Sequence, residues 1–129
     1  MPHLSIRIDF EPSGSALGPG MVELLERVAE QGSIRSAAAS MGMSYRKAWL
    51  LIQEMQDTFN GAIVTTEIGG SDGGGTKLTE LGTQLLKTYR RIENRTARAA
   101  EADLEVLAAL VKANAAPRRS ARRKLTKPA

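Results

Sequence analysis

Apolar and polar residues follow three different rhythms along the chain, and each rhythm predicts a different element. Leu4, Ile6, Ile8 and Phe10 alternate with Ser5, Arg7, Asp9 and Glu11, the period of two of a half-buried strand. Residues 12–20 then lose regularity, with two prolines, three glycines and two serines. Pro19 suits the first position of a helix, where its missing N–H costs nothing. The spacing of Met21, Leu24, Leu25 and Val28 predicts a helix over 20–31 that Gly32 stops.

Two further helices follow at once over 33–59. Ser33 is placed to cap the first, whose stripe is Ile34, Ala37, Ala38 and Met41, and Gly42 allows a sharp left-handed turn. Ser44 caps the second, which buries Ala48, Ile52, Met55 and Phe59. Ser44, Tyr45, Arg46, Lys47 and Leu50 are left near its opening, facing outward. A glycine turn between a small alanine-rich helix and a longer one that opens with polar and basic groups is the pattern of a helix-turn-helix. An ordinary helical hairpin in an all-helical domain is the competing reading.

Asn60-Gly61 is a turn dipeptide, residues 62–68 are rich in β-branched side chains, and 69–75 are glycine-rich. Residues 76–79 can return as a second strand, so the segment reads as a hairpin placed like the wing of a winged helix. Thr79 is a further cap. From 80 to 113 nothing but Gly82 opposes a single helix, roughly 50 Å long at 1.5 Å per residue. Leu85, Tyr89, Ile92, Thr96, Ala99, Asp103, Val106 and Leu110 trace a heptad seam along it, weakened by Thr96 and Asp103. The seam predicts a homodimer contact of moderate strength; packing along the helix's own domain is the alternative. The expected fold is mainly α with a small β-hairpin: a winged helix-turn-helix with a long C-terminal dimerisation helix.

Charge changes the picture only when split by position. The chain of 129 residues carries +4 overall, yet its last 17 residues hold six cations and no acid, leaving 12 cations against 14 acids in residues 1–112. The body is slightly acidic, so only local placement can favour a polyanionic partner. Residues 1–112 are expected to form the domain and 113–129 a basic, disordered tail that adds sequence-independent attraction to nucleic acid. There are no cysteines, which removes disulfides and thiolate metal sites. No apolar run of membrane-spanning length and no signal segment appear, so a cytoplasmic protein without a membrane partner is expected.

With these elements in place, Gly32-Ser33-Ile34 with Ala37-Ala38, the run from Gly42 through Tyr45, Arg46, Lys47 and Ala48 to Trp49, then Val64-Thr65, Gly69-Gly70, Gly73-Gly74-Gly75 and Leu78-Thr79 resemble the N-terminal DNA-binding domain of the ModE family of molybdate-responsive regulators. That domain is a winged helix related to the one in LysR-type regulators. The resemblance implies that Tyr45, Arg46 and Lys47 lead the recognition helix and that residues 73–77 belong to the wing. It departs in the wing, where Thr66 and Ser71-Asp72 stand at places the family usually makes basic. Family members sense molybdate in a separate C-terminal domain, which residues 113–129 cannot form, so no molybdate site carries over and no small-molecule effector is expected.

The leading expectation is therefore a dimeric, sequence-specific transcriptional regulator on double-stranded DNA, without an effector domain and without a cofactor. Its contacts are assigned to Ser33, Ser44, Tyr45, Arg46, Lys47, Leu50, Gly74 and Lys77, with Arg46 reading a base and Lys47 and Lys77 holding phosphate. Leu85, Tyr89, Ile92, Ala99, Val106 and Leu110 are assigned to the dimer. A protein-interaction module, or a nonspecific nucleic-acid binder working through the tail, is the alternative. Catalysis is not expected. The glycine-rich loop lacks lysine directly after its last glycine, and His3 is the only histidine, so neither a phosphate loop nor a histidine triad can be assembled.

Overall fold

A computed structural model describes residues 2–67 and 75–113. In order these give β1 (Ile8–Phe10), β2 (Ser15–Leu17), α1 (Pro19–Gln31), α2 (Ile34–Ser40), α3 (Tyr45–Phe59), β3 (Val64–Glu67), β4 (Gly75–Leu78), α4 (Glu80–Ala99) and α5 (Glu101–Ala113). They fall into two units, Ser5–Glu93 and a smaller one formed by residues before and after it.

In the larger unit, three helices close around one core. Pro19 opens α1, and Gly32 ends it in the left-handed conformation at φ 69°. Val22, Leu24, Leu25 and Val28 of α1 are buried with Ile34, Ala37 and Ala38 of α2, Ala48, Ile52 and Met55 of α3, and Ile63 beyond it. The stripe expected on α1 is shifted at its start: Val22 is sealed inside, while Met21 packs only partly against the core. Ala38 and Ala48 are almost wholly buried, because side chains this small let α2 and α3 cross closely.

Two hairpins flank the helices, where one was expected. β1 pairs antiparallel with β2, Asp9 opposite Ala16, inside the stretch read from sequence as irregular. The burial alternation of residues 4–10 holds throughout, although only three of those residues join a ladder. Beyond α3, β3 and β4 pair with Thr65 opposite Lys77 and Thr66 opposite Thr76. The Thr76 amide also donates to the Gly32 carbonyl at 2.9 Å, tying the base of this hairpin to the start of the helix pair.

Thr79 then caps α4, accepting from the Gly82 amide at 3.0 Å while its hydroxyl donates to the Ala62 carbonyl at 2.7 Å. Leu85 and Tyr89 lie in the core of the larger unit, and the Tyr89 hydroxyl donates to the Ile6 carbonyl at 2.6 Å. This corrects their assignment to a dimer seam: the first turns of the seam serve the chain's own domain. Arg90 fixes the same helix to α1 through Glu23 and Glu26, with Glu93 as its third carboxylate.

The expected single helix over 80–113 is two, interrupted at Ala100. Helical bonds still run from Ala100 to Thr96 and from Leu104 to Ala100. In the smaller unit, α5 buries no residue, and Val106, Leu107, Leu110 and Val111 stand more than half exposed. Among the described residues no helix is long and apolar enough to cross a membrane.

Candidate nucleic-acid interface

The geometry that matters is made by two caps and a turn. The Ser33 hydroxyl accepts from the Ser36 amide and the Ser44 hydroxyl from the Lys47 amide, both at 3.0 Å. Each satisfies one of the donors a helix leaves unpaired at its start. Because the hydroxyl oxygen accepts in both caps, each hydroxyl proton stays available to a phosphate oxygen. Gly42, at φ 71°, lets the chain reverse between the helices, and the Met43 amide closes the turn on the Ala38 carbonyl at 3.0 Å. Arg27 staples the arrangement from behind, bonding the Ser40 carbonyl at 3.0 Å, the Ser40 hydroxyl at 2.9 Å and Glu23 at 2.8 Å.

With Ala48, Ile52 and Met55 turned into the core, the opposite side of α3 is necessarily exposed. Ser44, Tyr45, Arg46, Lys47 and Leu50 all lie on it, with Tyr45 41% and Leu50 56% accessible. Trp49 is half-buried, with its indole packed against the core. Its ring meets Tyr45 edge-on, centroids 6.4 Å apart.

Charge on this face is one-sided. Between Ser33 and Gln53 the sequence holds Arg35, Arg46 and Lys47 and no acid. None of the three enters an ion pair among the described residues, whereas Arg7, Arg27, Lys77 and Arg90 each meet a carboxylate. The N-terminus of α3, a helix of 15 residues, adds its own partial positive charge at the same place. The face therefore offers backbone amides, guanidinium and ammonium groups, two hydroxyls and an aromatic ring, a set suited to phosphate and base edges.

Arg35 was not among the residues singled out from sequence. It sits in the first turn of α2, and its guanidinium carbon lies 4.4 Å from the centre of the Tyr45 ring. The signal available was a cation in an acid-free stretch; the contact itself spans the turn and has no sequence signature.

Lys77 faces Thr65 on β4 but pairs with Glu67 at 3.4 Å, both side chains well exposed. Gly74 and the rest of residues 68–74 lie outside the described residues, as do residues 114–129 of the basic tail. Leu85 and Tyr89 are internal, while Ile92 is 38% exposed and Ala99 and Val106 are exposed.

Comparison with known proteins places these elements in a wider set. No family model matches the chain. It is 42% identical over 72 residues to the molybdenum transport protein ModE of Herbaspirillum seropedicae, covering 56% of this chain and 27% of that one. It is 38% identical over 84 residues to the molybdenum-pterin-binding protein MopB of Rhodobacter capsulatus, 65% of this chain and 31% of the relative. The DNA-binding transcriptional dual regulator ModE of Escherichia coli K12 is 38% identical over 71 residues, 55% and 27%. The chain thus spans about a third or less of the length of the curated relatives it matches. Among solved structures, the DNA-binding domain of CbnR in complex with DNA superposes with a TM-score of 0.53 at 20% identity, covering 68% of this chain and 95% of that domain. Full-length LysG of Corynebacterium glutamicum, a LysR-type regulator with its effector arginine bound, gives 0.53 at 17% identity over 74% and 30%. At these identities the two show the fold, a winged helix.

Proposed function

We propose that this chain, whose helix-turn-helix and hairpin are homologous to a segment of the ModE and MopB proteins, is a DNA-binding transcriptional regulator that lays α3 in the major groove. One observation carries the reading: on a slightly acidic body, the exposed opening of α3 and the neighbouring turn of α2 hold three cations outside any described ion pair and no acid. Arg46 reads a base, since a guanidinium can engage guanine O6 and N7 together. Lys47 and the two cap hydroxyls hold phosphate and set the register. Lys77 contributes only by exchanging Glu67 for a phosphate, which an exposed pair of little worth permits.

The regulator acts as a homodimer in this reading, so that two recognition helices meet successive major grooves about 34 Å apart. The contact is assigned to α5, where Val106, Leu107, Leu110 and Val111 repeat at helical spacing along one exposed side. Leu107 and Val111 extend the seam read from sequence, in place of Leu85 and Tyr89. Substituting Val106 and Leu107 with Glu is expected to convert a dimer to monomer in light scattering while leaving the thermal unfolding of the larger unit in place.

The decisive experiment is equilibrium binding to DNA from upstream of the chain's own coding region, beside a scrambled duplex, across a salt series. It uses the full chain and a form ending at Ala113. A truncated form that still prefers the upstream duplex supports reading by the winged helix. If preference is absent and truncation abolishes binding, the protein is a nonspecific nucleic-acid binder or a docking module.

A further inference from the structure

We propose that Arg35, stacked on the ring of Tyr45, is a phosphate-contacting residue of the DNA face, contributed by α2 and held in place by the recognition helix. The proposal rests on the DNA-binding reading above and adds a residue and a device to it. A guanidinium can be held at a surface in two ways. An ion pair with a carboxylate fixes it but occupies its N–H donors and cancels its charge; this is the state of Arg90, between Glu26 and Glu93, and of Arg27 against Glu23. Stacking on an aromatic face fixes it through the plane of the group and leaves the N–H edge and the full charge available.

Arg35 is in the second state. Its guanidinium carbon is 4.4 Å from the Tyr45 centroid, and no ion pair involves it among the described residues. Tyr45 is itself steadied from the side by Trp49, in edge contact at 83° between ring planes. Trp49 in turn packs against the core. The series Arg35, Tyr45, Trp49 therefore runs from solvent to core, and it limits the rotamer freedom that an exposed arginine must otherwise lose when it binds. Tyr45 opens α3 and Arg46 follows it, so a guanidinium seated on Tyr45 stands beside the base-reading position and not in the groove itself. Phosphate, whose oxygens accept from a planar fork of donors, is the matching ligand.

The test uses the full chain and a random-sequence duplex of about 30 base pairs, since a phosphate contact does not depend on sequence. Arg35→Gln is expected to weaken binding by about 5- to 30-fold near physiological salt and to lower the slope of log affinity against log salt by about 0.9, one phosphate contact. The ratio of affinities for upstream and scrambled duplexes should stay as it is. Tyr45→Phe keeps the ring and should keep the slope, whereas in a Tyr45→Ser background the penalty of Arg35→Gln should fall by at least half. Circular dichroism melts of all variants check folding, and Arg35→Lys, which keeps the charge, should keep the slope if Arg35→Gln melts early. An unchanged slope in Arg35→Gln overturns the phosphate role, a changed sequence ratio makes Arg35 a base reader instead, and full additivity with Tyr45→Ser removes the stacking device. If the unaltered chain binds neither duplex, the DNA reading fails as a whole, an outcome distinct from the other three.

Discussion

Replacing Gly82 by alanine tests the closest packing in the fold. A Cβ built on Gly82 would stand 2.3 Å from the Ile63 carbonyl oxygen and 3.2 Å from its Cγ2. The obstacle is backbone, so no side-chain rotation relieves it; α4 must move away from the residue that leads into β3. That carbonyl also accepts the Thr79 amide at 2.9 Å, the bond that seats the start of α4. Overpacking of this kind costs about 1–3 kcal/mol, and a weakened hydrogen bond adds roughly 0.5–1.5. Alanine's better helix propensity returns at most about 1 kcal/mol. The balance is a loss of about 0.5–3.5 kcal/mol, centred on about 2 kcal/mol, which is roughly 8–16 °C in Tm for a domain of this size.

Gly20→Ala is the matched control. Gly20 lies in the first turn of α1 with nothing within 4 Å of an added Cβ, so the same chemical change should leave stability equal or raise it by up to about 1 kcal/mol. Differential scanning calorimetry on both variants reads the two signs directly. A Gly82→Ala protein as stable as the unaltered chain would refute the close approach of α4 to Ile63, and with it the reason this helix carries a glycine in its first turn.

Arg46→Ala should cost about 1–3 kcal/mol of DNA affinity and relax preference at one position of the site; equal weakening on every sequence removes the base-reading role. Ser44→Ala, measured by thermal melting, should cost about 1 kcal/mol through the lost cap to the Lys47 amide, with Ser44→Asp recovering most of it. Burial pushes the Tyr89 hydroxyl above its ordinary pKa, with the nearby Glu93 acting in the same direction. A folded-state pKa above the unfolded value means the contribution is complete below the unfolded value of about 10 and is lost as pH rises through the folded one. Alkaline unfolding should therefore be shallower in Tyr89→Phe, which at neutral pH gives up about 0.5–1.5 kcal/mol with the bond to Ile6; identical alkaline profiles would exclude Tyr89 as the group responsible.

The helix pair was legible because local chemistry decides it. Ser33, Gly42 and Ser44 act on their own or adjoining turns, and the stripes of α2 and α3 follow from a period alone. What was missed depends on partners remote in the chain. β2 is three residues long inside a proline- and glycine-rich stretch, and only its pairing with β1 distinguishes it from a loop. The start of the heptad seam has partners that no spacing reveals: Tyr89 faces inward with its hydroxyl on the Ile6 carbonyl, and Leu85 is buried in the core of the same unit. Arg35 went unnoticed because what distinguishes it from any surface arginine is a ring ten residues on, across a turn.

The way the cations are partnered bears on orientation as much as on affinity. A polyanion approaching a body with 12 cations against 14 acids in residues 1–112 meets little net attraction. On the supporting side of the helices, Arg27 and Arg90 are committed to Glu23, Glu26 and Glu93, and the Arg27 guanidinium holds the Glu23 carboxyl below its ordinary range. Two cations there face three carboxylates, so the network holds α1, α2 and α4 together without drawing a polyanion to that side. The opening of α3 and the adjoining turn of α2 present positive charge with no acid between Ser33 and Gln53. Neutralising one scaffold pair and removing one face cation should therefore have opposite kinds of effect: Glu23→Gln changes stability, while Lys47→Gln lowers the association rate at low salt and loses that effect as screening grows. If Lys47→Gln slowed association equally at every salt concentration, steering by this face would not be the reason the recognition helix arrives first.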